Sequence, residues 1–357
     1  MSARLLEVRG LTVRFPLRRA GLLATRHWLT AVDGVDLEVA AGQSVGIVGE
    51  SGCGKSTLAR AILALLRPAA GSVAWRGTLV RPGDAPALRR MRREAQVVFQ
   101  DPVGSLDPRM TVGESVAEAL VALAGPQPRA ARDSRVAATL QEVGLDPALA
   151  ARYPHELSGG QCQRAAIARA IVARPALLVC DEAVSALDVS VQAQIVNLLS
   201  ELRERHGLAL LFISHNLAVV RHLCDEVVVL YLGRVVERAS REALFAAPRH
   251  PYTRALLEAV PEPDPEAWSG DRAARFVQGE AAPLPDPAAA AGCAYAARCR
   301  FADQRCRSEV PVLESEGDGH LIACHHWRAL PPPCGFPGPA GRPASENNGL
   351  PPAVTGR

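Results

Sequence analysis

The chain has 357 residues, 48% of them hydrophobic, and a formal net charge of +3. That length holds one large domain and a smaller one, and the apolar content is ample for a core. The small charge is spread without a basic block, which argues against a nucleic-acid binder; no apolar run approaches the ~18–20 residues that span a bilayer, and Met1-Ser2-Ala3-Arg4 opens no signal peptide. The expected location is the cytoplasm, with any membrane role exercised through a partner. Nine cysteines in that compartment point to thiols or metal ligands, not disulfides.

Residues 5–15 alternate enough to form a strand. Phe15, near its end, is a candidate to stack on a nucleotide base and equally a candidate core residue. Residues 16–30, with Arg18, Arg19, Arg26 and His27, read as an irregular basic stretch. It is either a solvated loop or a contact for a membrane surface or partner. Strands are expected at 31–39 and 44–48.

The second of these runs into Gly49-Glu50-Ser51-Gly52-Cys53-Gly54-Lys55-Ser56-Thr57, and a helical period follows. Strand, glycine-rich turn, Lys-Ser and helix is the context that a phosphate-binding P-loop requires. Glycines let successive backbone N–H groups point into one concavity, and the helix adds its positive end. Lys55 is placed to reach the β- and γ-phosphates and Ser56 to ligate Mg²⁺. Lys55 is also the only lysine in the chain. A biased genome accounts for the arginines but not for this exception; a compact ammonium suits a tight phosphate cradle better than a planar guanidinium.

A short strand is expected between Gly71 and Gly77, then a polar, arginine-rich region up to Arg93, then a strand at 96–99 that ends at Gln100. A glutamine at the carboxyl end of a central strand is well placed to reach Mg²⁺ and an attacking water. Helices at 111–123 and 132–143 form an insertion between two parts of a nucleotide-binding sheet. They lead to Leu157-Ser158-Gly159-Gly160-Gln161 and a further helix, a second anion site at a second helix N-terminus. Two such sites in one chain suggest that the second serves another subunit's nucleotide.

The apolar run 176–180 reads as a buried parallel strand that ends in Asp181 and Glu182. Asp181 is placed to hold Mg²⁺ and Glu182 to act as general base for water. Asp188 lies in the turn into a helix at 189–205. One more apolar strand, 208–213, ends at Ser214 and His215, which puts the histidine beside the expected γ-phosphate.

With these residues in place the chain resembles an ATP-binding-cassette (ABC) ATPase over about residues 5–260. Leu157-Ser158-Gly159-Gly160-Gln161 matches the family signature in letter and order; Gln100, Asp188 and His215 match its Q-loop, D-loop and switch histidine. Asn216 departs from the aspartate often found after that histidine. Further matches narrow the resemblance to the F-type member of the dipeptide/oligopeptide importer ATPases. They are Gln100-Asp101-Pro102 with Ser105-Leu106-Asp107-Pro108-Arg109, Asp181 through Asp188, and Arg249-His250-Pro251-Tyr252-Thr253-Arg254-Ala255-Leu256.

The resemblance implies an α/β P-loop NTPase core with an antiparallel β subdomain and a helical insertion at about 103–172. It implies two cassettes that clamp two ATP molecules head to tail, Ser158 and Gly160 of one chain meeting the γ-phosphate held by the other's Lys55. The implied partners are a second ABC ATPase subunit, two transmembrane permease subunits and, indirectly, an extracytoplasmic binding protein. The implied place is the cytoplasmic face of the cell membrane. A nickel or other small-solute cargo, and a soluble ABC ATPase acting on nucleic acid or ribosomes, are the competing readings.

Residues 261–287 are rich in Pro, Ala and acids and read as a linker to a small extension ending near residue 330. Cys293, Cys299, Cys306 and Cys324 follow at spacings of five, six and seventeen residues. They lack the close pairs favoured by zinc sites and are compatible with a [4Fe–4S] cluster. Similar cysteine sets in peptide-importer ATPases are associated with such clusters; zinc and unliganded thiols remain the alternatives. Cys334 looks spare, and residues 331–357 read as a disordered, Pro/Gly-rich tail.

Overall fold

The computed structural model describes residues 4–17, 28–259 and 291–331. The basic residues Arg18, Arg19, Arg26 and His27, the linker 261–287, Cys334 and the tail from 332 onward lie outside the described residues.

In chain order the elements are β1 (Arg4–Pro16), β2 (Trp28–Ala40), β3 (Ser44–Val48), α1 (Lys55–Ile62), β4 (Ala70–Trp75), β5 (Thr78–Leu79), α2 (Ala85–Glu94) and β6 (Ala95–Val98). Then come α3 (Val112–Ala124), α4 (Arg129–Glu142), α5 (Gly159–Ile171), β7 (Leu177–Asp181), α6 (Val189–His206), β8 (Ala209–Ser214) and α7 (Leu217–Leu223). The chain continues through β9 (Glu226–Tyr231), β10 (Arg234–Ser240), α8 (Arg241–Ala246), α9 (Pro251–Glu258), α10 (Gln304–Ser308), β11 (Glu314–Gly317) and β12 (His320–Ile322).

Two differences from the sequence reading have plain causes. Residues 16–30 are not irregular throughout: Phe15 pairs with Leu29 and Pro16 with Trp28, so the β1–β2 ladder runs into that stretch. The arginine-rich region before Arg93 is the helix α2. Asp84 caps it, accepting from Ala87 N–H, and Pro86 sits in its first turn. Only Met91 on this helix is buried, so four arginines hide the apolar period that would have announced it.

An antiparallel sheet in the order β2-β1-β4-β5 stands beside a larger sheet in the order β11-β12-β10-β9-β3-β8-β7-β6. β9, β3, β8, β7 and β6 are parallel. The register is level: Val48 opposes Ser214, Ile213 opposes Asp181, and Cys180 opposes Val98. The carboxyl ends of β3, β8, β7 and β6 therefore finish along one edge, and every turn that leaves them opens there.

Both faces of the central strands are buried, which is why they read as unbroken apolar runs. Side chains alternate between two cores. Ile47, Val179 and Leu211 join Leu6, Leu37 and Leu58, while Val48, Cys180 and Phe212 join Val116, Leu140, Ile167 and Leu199. The first core fastens the antiparallel sheet and α1 to the central strands; the second fastens the helical insertion. Each fully buried Val or Leu contributes roughly 1.5–3 kcal/mol, so both attachments are strong.

The described part of the extension is continuous with the larger sheet. β12 pairs with β10, Glu237 opposite Ile322 and Arg238 opposite Leu321. The buried Glu237 carboxylate accepts from Arg249 N–H at 2.7 Å and His250 N–H at 2.9 Å, and His320 Nε2 lies 2.8 Å from it. The cysteine segment also contains the one-turn helix α10, which buries Cys306.

Candidate functional site

The turn after β3 is shaped by two glycines that no other residue replaces. Gly49 has φ 154° and Gly54 φ 104°. A Cβ would lie 2.2 Å from Leu230 O at the first and 2.2 Å from Ala31 O at the second. The left-handed backbone and the close neighbours together demand glycine. The second contact also brings β2 against the loop, and Phe15 pairs with Leu29, two residues before Ala31. Phe15 is 37% exposed, so it is not a core phenylalanine. It is an aromatic face near the mouth of the loop.

Lys55, 4% exposed, folds back over its own turn. Its Nζ donates to Gly49 O at 2.8 Å and Glu50 O at 2.9 Å, and stands 3.9 Å from Cys53 Sγ. Ser56 Oγ donates to Asp181 Oδ1 at 2.7 Å. Burial pushes the Asp181 carboxyl up; the Ser56 hydrogen bond and the charges of Arg60 and Lys55 oppose that shift. A buried acid next to a hydroxyl is a pair of oxygen donors suited to a hard divalent cation.

Glu182 is the hub. Its carboxylate lies 3.7 Å from Lys55 Nζ and 3.8 Å from His215 Nδ1, and accepts from Gln100 Nε2 at 3.1 Å. Lys55 opens α1 after the turn that leaves β3, His215 follows β8, Gln100 follows β6, and Glu182 follows β7. The level register is what makes them meet. Glu182 also has φ 49°, a left-handed conformation that costs a non-glycine residue on the order of 1 kcal/mol. Its N–H donates to Ile213 O at 3.0 Å, which holds that conformation. Asn216, where the family often has aspartate, caps α7 by accepting from Ala218 N–H at 3.0 Å. Asparagine caps as well as aspartate, so the departure leaves the turn that carries His215 intact.

The second glycine turn stands apart. Ser158 caps α5, its hydroxyl accepting from Gln161 N–H while the Gln161 side chain accepts from Ser158 N–H. Ser158 and Gly159 are exposed and Leu157 is half-buried. Gly160 packs on α6, where a Cβ would lie 2.8 Å from Val191 Cγ1. Asp188 caps α6, accepting from Val191 N–H at 2.9 Å and Ser190 Oγ at 2.8 Å. The chain thus brings the signature turn and Asp188 together. Among the described residues, no hydrogen bond or ion pair joins that turn to Lys55, Glu182 or His215.

Sequence reasoning missed the residues that brace the P-loop from outside. Tyr252 accepts from Glu50 N–H through its hydroxyl at 2.8 Å, and Arg298 Nη1 donates to Glu50 Oε2 at 2.8 Å. Both lie more than 200 residues away, and no spacing rule links them to the loop.

Cys293, Cys299, Cys306 and Cys324 line one small cavity, with His250 and His326 at its wall. Cys293 N–H donates to Cys306 O at 2.8 Å, closing the loop that carries the first two. Burial pushes all four thiols up, Cys324 to about 11. Among the described residues, the set of potential ligand atoms lying within 4.8 Å of one another is Asp303, Cys306 and His326; the four sulfurs are spread more widely.

A P-loop, an acidic pair on a neighbouring strand, a glutamine and a histidine at the adjacent strand ends, and an antiparallel sheet beside them define an ATP-binding-cassette ATPase. Comparison with known proteins agrees. Residues 32–185 match the family described as ABC transporter, and residues 236–306 match that described as Oligopeptide/dipeptide transporter, C-terminal region. The chain belongs to the ABC transporter family, in the branch of the oligopeptide transport ATP-binding proteins. The OppF protein of Haemophilus influenzae is 44% identical over 323 residues, 90% of this chain and 96% of that relative. The OppF protein of Salmonella typhimurium is 45% identical over 328 residues, 90% and 95% of the two chains. Among solved structures, the dimeric bacterial ABC transporter cassette MJ0796 is 28% identical with a TM-score of 0.59, covering 66% of this chain and 99% of that one. The cassette CbiO1 of Clostridium perfringens is 27% identical with a TM-score of 0.59, covering 68% and 91%.

Proposed function

We propose that this chain hydrolyses ATP to power the import of dipeptides or oligopeptides, paired with a second cassette and docked on two permease subunits at the cytoplasmic face of the membrane. An extracytoplasmic binding protein would deliver the cargo. No helix among the described residues is long and apolar enough to cross a membrane, consistent with a peripheral subunit. The observation that carries the catalytic reading is the convergence of Lys55, Gln100 and His215 on the Glu182 carboxylate.

The phosphates of ATP rest on the N–H groups of Gly49–Thr57, and Phe15 stacks on the base. The Lys55 ammonium meets the β- and γ-phosphates. Ser56, Gln100 and Asp181 would hold Mg²⁺, which would supply positive charge against the phosphate oxygens. Glu182 accepts a hydrogen bond from the water in line with the γ-phosphate and takes its proton as the bond to the leaving ADP breaks. His215 donates to the γ-phosphate oxygens. Leu157–Gln161, with Asp188, faces the nucleotide of the partner cassette, which explains why this turn stands apart from its own chain's cradle.

The four cysteines are the ligand set of a [4Fe–4S] cluster, with zinc as the competing occupant. A tetrahedral zinc ion with Zn–S of about 2.3 Å brings its sulfurs to about 3.8 Å from one another. The wider spacing of these thiols suits the larger cluster, which would staple the extension together. Absorbance in the visible range and iron stoichiometry after anaerobic purification test this; a colourless protein with one zinc per chain reverses it.

For the whole reading, the reconstituted complex should hydrolyse ATP faster with its binding protein loaded with peptide. Stimulation by nickel and not by peptide would reassign the cargo. Co-purification with nucleic acid in place of membrane subunits would reject transport.

A further inference from the structure

The loop bounded by Cys293 and Cys299 returns to the nucleotide site. Arg298 Nη1 donates to Glu50 Oε2 at 2.8 Å across 248 positions of sequence. Glu50 belongs to the phosphate cradle: its N–H donates to the Tyr252 hydroxyl and its carbonyl accepts from Lys55 Nζ. Arg298 is held in turn. Its guanidinium lies 5.8 Å from the centre of the Tyr295 ring. Tyr295 packs edge-on against Tyr231, ring centres 5.2 Å apart, and at a tilt against Tyr252, 5.4 Å apart. A guanidinium from the cysteine loop is thus aimed at the one acidic side chain of the P-loop.

We propose that Arg298 is an affinity-determining residue of the nucleotide site, acting through Glu50, whose negative charge it compensates beside the bound phosphates. Without the guanidinium, Glu50 would present an unbalanced carboxylate at the rim of a site built for polyphosphate, and the like charges would repel. The Arg298 and Glu50 side chains are 28% and 41% exposed, so solvent screens the pair and the effect is modest. The inference rests on the reading of Gly49–Thr57 as the phosphate cradle, and not on what the four thiols hold.

The test is equilibrium titration of the full-length chain with fluorescent mant-ADP and Mg²⁺. Loss of binding in Lys55→Ala checks the cradle itself; retained binding there would remove the basis of the proposal. With the cradle established, Arg298→Gln is expected to raise Kd about three- to fivefold at low salt. The difference should shrink toward none at ~0.5 M salt. Arg298→Lys should restore most of the affinity, since it keeps the charge. Glu50→Gln should bind at least as tightly as the natural chain, and adding Arg298→Gln to it should change nothing. In the assembled complex, KM for ATP should rise in Arg298→Gln with kcat unaltered. An unchanged Kd, a salt-independent loss, or an equal loss in the Glu50→Gln background would overturn the proposal and leave Arg298 a structural residue of the extension.

Discussion

Ser56 Oγ and Asp181 Oδ1 lie 2.7 Å apart although 125 positions separate them in sequence. β3 and β7 are not neighbours in the sheet; β8 runs between them. Ser56 reaches Asp181 because α1 starts above the edge where all three strands finish. This hydroxyl and this buried acid are two of the donors we propose for the divalent cation. Asp181→Asn keeps the hydrogen bond and removes the charge, and should lower kcat by on the order of a hundredfold or more. Steady-state ATPase assays over a Mg²⁺ series check this; full activity at saturating Mg²⁺ would move the cation elsewhere.

Glu182→Gln retains the shape of the hub and the contact with Gln100. Removing the base should slow hydrolysis by about 10²–10⁴-fold while ATP binding survives. Size-exclusion chromatography with ATP should then show a stable dimer of cassettes. Unaltered turnover in this variant would refute the assigned base.

Ser158 offers a sharper test than simple deletion, because it does two jobs in the proposed reading. As the cap of α5 it is replaceable by aspartate at little cost, whereas alanine costs about 1 kcal/mol. As a donor to the partner's nucleotide it is not: Ser158→Asp points a carboxylate at a triphosphate. That variant should melt within a degree or two of the natural protein and bind nucleotide normally by itself. Its complex should lose hydrolysis. An active Ser158→Asp complex would disprove the head-to-tail arrangement.

Glu237 is fully buried; it accepts from the Arg249 and His250 N–H groups within the cassette and meets His320 of the extension. Glu237→Ala leaves the N–H groups of Arg249 and His250 without acceptors, each costing about 1–3 kcal/mol. The melting temperature should fall by several degrees, and limited proteolysis should release residues beyond β10 first. Glu237→Gln, which keeps an acceptor, should fall less. A release pattern unchanged in Glu237→Ala would show that the pairing of β10 with β12 holds the extension unaided.

Much of this was legible before any coordinates. The strands that lead to the P-loop, to Glu182 and to His215 announce themselves as short apolar runs, because both their faces are buried; two of them end in a polar residue, Asp181 and Ser214, and the third runs into Gly49. The caps at Thr111, Ser158 and Asp188 mark their helices for an equally local reason: a side-chain oxygen and a backbone N–H three residues on. α2 escaped because Arg89, Arg90, Arg92 and Arg93 surround its single buried residue. Phe15 was ambiguous between stacking and core, since a strand end does not say which side of it solvent lies on.

By itself, then, the amino-acid order marked a glycine-rich cradle, the acid we propose for the metal, the base we propose for water, and a signature turn, since each depends on neighbours within a few residues. Folding alone decided that Glu182 faces Lys55, Gln100 and His215 together, that Ser158 and Asp188 share one surface, and that Arg298 and Tyr252 brace Glu50. The reason is sheet order and register. Which strands become neighbours, and how far each slides along the next, is set by two cores filled from every part of the chain, and no local pattern records that outcome.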